Sequence, residues 1–280
     1  MILRKKRLVP YLAGLSGVTS LFHVLVSTEQ GLNWLESYQI RPENVTITGL
    51  SPNSCLCGEF DVKFVSNRDV LSVLEQGGTN SLLSAEKNHS DLIPAVYEGG
   101  LKVWECTFDL VDFLVEQKID FGGKDVLDLG CGAGIAGILA CLKGARTVFQ
   151  DYNIEVIESL TIPNVYLNGL DLANCAFFCG DWGSFLDLQL KSAARKYDFI
   201  LTSETIYNTN NYKKILSIFK QLLKPTGMIF LAAKYHYFGV GGGIPQFEDL
   251  LKMEDVFTHT ICWQNSSGVK RAIIKISFKN

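Results

Sequence analysis

Three acidic side chains and a glycine turn carry most of the chemical information in this chain. In VLDLGCGAG at 126–134, Gly130, Gly132 and Gly134 lie between two apolar runs, the spacing of a strand that bends sharply into a helix. Glycine there lets the backbone turn tightly and approach a ligand closely. Asp128 stands near the carboxyl end of that strand, where a carboxylate can meet an ammonium group directly or through water. Asp151 comes 21 residues after Gly130, at the end of the next apolar run, a position from which an acid takes both hydroxyls of a ribose. Gln150 and Tyr152 flank it, within reach of the ribose and its base. Asp181 follows a third run and is placed to accept from the amino group of adenine, with Trp182 beside it as a stacking surface.

Gly132, Gly134 and Gly137 also satisfy GxGxxG, so the turn alone admits NAD. A pyrophosphate uses the helix N-terminus, whereas a ligand with an ammonium, a ribose and an adenine but no phosphate calls for carboxylates. Asp128, Asp151 and Asp181 together select the second ligand, S-adenosylmethionine (AdoMet). If the glycines served only to pack a helix on a strand, three acids at three strand ends would have no explanation.

Two further segments face the same edge. SETIY at 203–207 follows the fourth expected strand, so Ser203 and Glu204 are placed toward the transferred methyl group and Tyr207 toward a flat acceptor. The alternative is a helix cap at Ser203 or Thr205. YHYFGVGGG at 235–243 follows the fifth strand, its three adjacent glycines suited to a flexible or closely approaching loop walled by Tyr235, Tyr237 and Phe238. His236 reads as an ordinary loop histidine, and Glu98, Gly99 and Gly100 as a lid or a simple turn.

These residues need a scaffold that brings strand ends together. Strands are expected at 125–129, 147–150, 175–179, 198–202 and 228–233, and helices at 107–118, 135–142, 153–160 (broken by Pro163) and 211–223. Alternation of this kind predicts a doubly wound, mostly parallel α/β sheet. Residues 257–263 and 270–278 read as two strands joined by Asn265–Gly268, too short for a crossover and suited to an antiparallel hairpin. Five parallel strands plus this hairpin make a seven-stranded sheet, the class I AdoMet-dependent methyltransferase layout. Residues 1–91 form an N-terminal extension with at most a hairpin, and 92–280 the AdoMet-dependent domain.

With 47% hydrophobic and 20% charged residues the chain can build a substantial core, and a net charge of −3 gives no reason to expect nucleic acid as a direct ligand. Its eight cysteines lack disulfide spacing or a CxxC pair, which fits reduced thiols in the cytosol or nucleus. Cys55 with Cys57, and Cys175 with Cys179, lack the second pair or histidine that zinc requires, so no metal is expected. The basic cluster Arg4–Arg7 ahead of the apolar run 8–26 reads as a targeting segment, a nuclear-localisation signal or a loosely packed extension. Pro10, Gly14, Gly17 and His23 interrupt that run and argue against a membrane-spanning helix.

VYEGGLKVWECTFDLVDF at 96–113, DYN at 151, TIPN at 161, GDWG at 180, LTSETIYN at 201 and YFGVGGG at 237 closely resemble the histidine protein methyltransferases, relatives of the seven-stranded protein lysine methyltransferases. The resemblance spans about 92–280. It implies that Val103, Trp104, Glu105, Cys106 and Thr107 join the AdoMet pocket with Gly130, Gln150, Asp151, Tyr152, Gly180, Asp181, Trp182 and Ser203. It further implies an acceptor histidine on a large-subunit ribosomal protein of the uL3 type, and with it a cytoplasmic, nuclear or nucleolar monomer without direct nucleic-acid or membrane contact. Neutral imidazole carries a free lone pair, and its pKa of about 6.5 leaves most of it uncharged at pH 7. The enzyme's task is then positioning: Glu204 accepts from the second ring N–H and Tyr207 packs on the ring. Lysine methylation on the same fold and a non-catalytic AdoMet-binding module are the competing readings.

Overall fold

The computed structural model describes residues 28–29, 32–45, 52–77, 93, 95–192 and 195–279. The basic cluster and apolar run at 4–26 lie outside these. Among the described residues no helix is long and apolar enough to cross a membrane.

Besides a short antiparallel pair, Thr28–Glu29 with Leu32–Asn33, ten strands organise the described residues: β1 (Tyr38–Ile40), β2 (Pro52–Cys57), β3 (Phe60–Val65), β4 (Asp125–Leu129), β5 (Arg146–Asp151), β6 (Cys175–Cys179), β7 (Tyr197–Ser203), β8 (Leu223–Lys234), β9 (Phe257–Gln264) and β10 (Arg271–Phe278). One eight-stranded sheet runs in the order β9-β10-β8-β7-β4-β5-β6-β1. Its central five strands are parallel, while β9 and β10 pair antiparallel and seat β10 against β8. The expected hairpin is therefore present. The count of seven is not, because β1 adds an antiparallel edge strand on β6. Two buried clusters cover the two faces, and neighbours on one strand divide between them: Val126 and Leu127, Phe177 and Phe178, Leu201 and Ile200, Phe230 and Leu231. This period-2 division is what a sheet with helices on both faces demands.

The helices are α1 (Asn67–Gly77), α2 (Glu105–Glu116), α3 (Ile135–Leu142), α4 spanning 154–167, α5 (Trp182–Lys191), α6 (Tyr212–Leu222) and α7 (Ile244–Glu254). Pro163 does not break α4 as expected: a π-helical turn at Ile157–Thr161 widens the helix just ahead of it. Thr161 Oγ1 in that turn donates to the Gly132 carbonyl at 2.7 Å, tying α4 to the glycine turn. The hairpin expected in the extension is β2–β3, whose Lys63 and Val65 N–H groups donate to Asn168 and Asn164 of the α4 region at 2.9 and 2.7 Å.

β4 enters α3 through the glycine turn, where Gly130, Gly132 and Gly134 take φ of 66, 49 and 74°. Gly137, inside α3, is glycine for another reason. A Cβ there would sit 2.4 Å from Phe149 Cε1 and 2.9 Å from Asp128 Oδ2. Alanine normally stabilises a helix interior by about 1 kcal/mol over glycine. Here Gly137→Ala is expected to destabilise by about 1–3 kcal/mol through overpacking. Thermal unfolding checks this, and a raised Tm would contradict it.

Candidate active site

The carboxyl ends of β4 and β7 meet where the strand order reverses, the point at which doubly wound sheets bind ligands. A cavity opens there, ≈ 740 Å³ including the open solvent at its entrance. Of the residues expected in a cofactor pocket, it brings together Val103, Trp104, Thr107, Gly130, Gly132, Asp151, Tyr152, Gly180, Asp181, Trp182 and Ser203, with Glu204 and Tyr207 from the acceptor side.

Asp151 is buried at its base. Its Oδ2 accepts from Gly132 N–H at 2.8 Å, and its Oδ1 accepts from Asn153 N–H at 3.4 Å. Burial pushes its carboxyl up to about 6, against these backbone hydrogen bonds. Ribose hydroxyls donating to this group require the ionised form. AdoMet affinity is thus expected to be full above about pH 6 and to fall toward tenfold per pH unit below it. Calorimetric titration between pH 5 and 8 checks this, with Asp151→Asn expected to flatten the profile.

Asp181 lines the cavity and also caps α5, accepting from Gly183 and Ser184 N–H at 2.8 and 3.4 Å, while Lys214 Nζ lies 2.5 Å from its other oxygen. The Trp182 indole donates to Gln150 Oε1 at 2.8 Å, and the Gln150 amide donates to the Gly180 carbonyl at 2.8 Å. Gln150 is fully buried and orients Trp182 without lining the cavity. Asp128 also lies outside the lining, its Oδ2 accepting from Gly137 N–H at 2.8 Å and its carboxyl pushed up to about 7 by burial. Its place near the strand end was legible, but the side chain holds the start of α3 against β4. Glu105 and Cys106 sit behind the lining too: Glu105 pairs with Lys234, and Cys106 is wholly buried.

At the other end, β7 stops at Ser203, whose Oγ shares a 2.8 Å hydrogen bond with Thr107 Oγ1. No helix begins there, so the capping alternative for Ser203 or Thr205 does not apply. Glu204 takes φ 58°, an uncommon left-handed conformation for a side-chain-bearing residue, tied by its N–H to the Ala232 carbonyl at 2.9 Å. Its carboxylate is buried with no donor at hydrogen-bond distance, and the Cys106 thiol and Tyr237 hydroxyl are its neighbours. Tyr207 donates to Glu98, joining the 95–100 segment to this end, and its ring meets Tyr237 edge-on with centroids 6.3 Å apart. Burial and the neighbouring Glu98 charge hold the Tyr207 hydroxyl well above its usual range, so it stays protonated. The glycine loop is packed: Gly242 N–H donates to the Tyr207 carbonyl at 2.9 Å, and a Cβ on Gly242 would lie 2.3 Å from Ile206 O.

Trp34 escaped the sequence reading, because its segment shows no period. The structure sets its ring in the cavity wall, edge-on to Tyr152 with centroids 6.3 Å apart, and with Lys214 Nζ 3.5 Å from its centroid. Asn211 was missed as well; it lines the cavity with an Oδ1 that is buried and without a donor. Cys175 faces Cys141 at 3.9 Å and not Cys179, whose thiol points to the Tyr38 carbonyl.

These features fit AdoMet. A Cβ on Gly130 would meet Thr205 Cγ2 at 2.6 Å and one on Gly132 the Gly100 carbonyl at 3.1 Å, so the cradle exists only with glycine. The unmet acceptor on Asn211, and Asp151 in the same lining, suit a ligand that presents hydroxyl and amino donors. The fold and pocket define the class I AdoMet-dependent methyltransferase architecture. SMU.776 in its complex with SAH superposes with a TM-score of 0.55 at 14% identity, covering 82% of this chain and 56% of that one. Residues 95–238 match the family model described as lysine methyltransferase. A histidine protein methyltransferase 1 homolog of Bos taurus is 43% identical, over 72% of this chain and 61% of its own length. The histidine protein methyltransferase 1 of Saccharomyces cerevisiae is 30% identical, over 78% of this chain and 74% of its own. The chain belongs to the histidine protein methyltransferase family. It spans about three fifths of the length of the bovine relative.

Proposed function

We propose that this protein is a histidine N-methyltransferase that moves the methyl group of AdoMet to a ring nitrogen of a protein histidine. The observation that carries the reading is Glu204, a residue of the cavity lining whose buried carboxylate has no donor at hydrogen-bond distance. An imidazole has one nitrogen to be alkylated and one N–H to give away, and Glu204 is the acceptor for the latter. Bound AdoMet supplies an electrophilic methyl on its sulfonium. The protein's residues do the rest: Asp151 and the glycine turn hold the cofactor, Trp34, Trp182 and Tyr152 wall it, and Glu204 fixes the ring's tautomer and direction. Tyr207, fastened to Glu98, contributes an apolar wall beside the ring.

Lysine is the second reading, supported by the description of the matching family model. An ammonium of pKa about 10.4 must first lose its proton, whereas imidazole is mostly neutral at pH 7. The family resemblance takes the substrate to be a large-subunit ribosomal protein of the uL3 type, met by a monomeric enzyme in the cytoplasm or nucleus. Incubation of purified large-subunit proteins with labelled AdoMet tests this. Label on a single protein of the uL3 type supports the assignment, and label elsewhere or nowhere contradicts it.

A further inference from the structure

Glu204 is not alone behind the acceptor end. β8 runs beside β7, and Lys234 at its end places Nζ 3.6 Å from Glu204 Oε1 and 3.2 Å from Glu105 Oε2. Its ammonium also lies 5.1 Å from the Trp104 ring centroid and 6.0 Å from that of Tyr237. Both partners are sheltered, the Lys234 side chain 17% and the Glu204 side chain 6% exposed. At 3.6 Å the pair is an ion pair and not a hydrogen bond, so Lys234 compensates charge while leaving both carboxylate oxygens free to accept. Lys234 itself does not line the cavity.

That arrangement has a chemical consequence for the acceptor. A carboxylate within about 4–6 Å of an imidazole favours the protonated ring. A protonated ring has no lone pair for the methyl group. We propose that Lys234 is a positioning residue that cancels the charge of Glu204, so that the carboxylate orients the acceptor imidazole without protonating it. The inference rests on the histidine reading given above.

The other groups facing Glu204 do not supply this balance. Cys106 of α2 and Tyr237 of the glycine loop are held well above their usual range, chiefly by burial and also by the charge of Glu204 and hydrogen bonding toward it, so both stay neutral and carry no balancing charge. Glu105 is negative and 61% exposed on its side chain, so it holds Lys234 from the solvent side. Arg271, the next cation, is committed to Asp109 through hydrogen bonds at 2.5 and 3.2 Å. Within the cavity lining, Glu98 is engaged by Tyr207 and Asp151 by the backbone. Lys234 is thus a cation in contact with Glu204.

The test uses the full chain, large-subunit ribosomal proteins as methyl acceptor and labelled AdoMet at saturation, which removes the contribution of Asp151 to the acidic limb. Methyl transfer by wild type, Lys234→Met and Lys234→Arg is followed from pH 5.5 to 9. The wild-type limb is expected near the imidazole value of about 6.5. In Lys234→Met it is expected to move up by about one unit, with the rate lost at pH 7 largely regained by pH 8.5, while Lys234→Arg keeps the wild-type limb. A limb that stays in place in Lys234→Met, with only its amplitude lowered, overturns the proposal. Should Lys234→Met fail to fold, as judged by AdoMet affinity, Glu204→Gln reads the same balance from the other side. Lys234 is then unopposed and the limb moves to lower pH; an unmoved limb again overturns the proposal. The labelled amino acid made by wild type separates the two claims: methyllysine sinks the histidine reading, whereas methylhistidine with unmoved limbs sinks only the role of Lys234.

Discussion

Asp151→Ala is expected to weaken AdoMet binding by about 10²–10⁴-fold, the largest loss from any single side chain of the pocket. Two hydrogen bonds to a charged acceptor are worth about 1.5–3 kcal/mol each, and each 1.4 kcal/mol is a factor of ten. The substitution also strips Gly132 N–H of its 2.8 Å acceptor, loosening the glycine turn packed against it. Asp151→Asn keeps the shape but offers one oxygen, and should lose less. Isothermal titration of folded protein checks the ranking. Equal affinities for wild type and Asp151→Ala would remove Asp151 from the cofactor site.

Glu204→Ala should separate the two halves of the site. Loss of one charge-assisted hydrogen bond to the acceptor ring predicts a fall of about 10–10²-fold in kcat/KM for the protein substrate, from about 1.5–3 kcal/mol. AdoMet affinity should change little, because the Asp151 and Trp182 end of the cavity is untouched. The left-handed φ of 58° at position 204 disfavours alanine as it does glutamate, so the substitution adds little new backbone strain. The check is single-turnover methyl transfer beside a cofactor titration on one preparation. Unchanged turnover would show that the orphaned carboxylate does something else.

The parts of this molecule that could be read from its sequence are those where a local rule is also the tertiary rule. The glycine turn at 130–134 is dictated by backbone dihedrals and close approach, both local, and it sits where expected. Asp151, Asp181 and Ser203 follow from strand ends, since a parallel sheet gathers those ends at one edge. Asp128 shows the limit. Strand position was legible, but side-chain direction depends on Gly137 lying across from it, a contact between a strand and the helix that follows. Gln150 is similar: its amide spans the Gly180 carbonyl and the Trp182 indole, so it shapes the cavity from outside. Trp34 was illegible because its segment reaches the pocket through β1 on the far edge of the sheet, and a three-residue strand leaves no pattern. Pro163 misled because a proline rule assumes α geometry, and the turn before it is a π turn. Lys234 closes an apolar strand and reads as an ordinary polar terminus; only the pairing of β8 with β7 brings it to Glu204.

The central claim is that this pocket delivers a methyl group to imidazole. Its most direct test is the identity of the amino acid modified when the purified protein is given labelled AdoMet and large-subunit ribosomal proteins, read after complete acid hydrolysis. Methylhistidine is the expected product, lost in Glu204→Ala and in Asp151→Ala at sub-saturating AdoMet. Methyllysine as the labelled product, surviving Glu204→Ala, would contradict it.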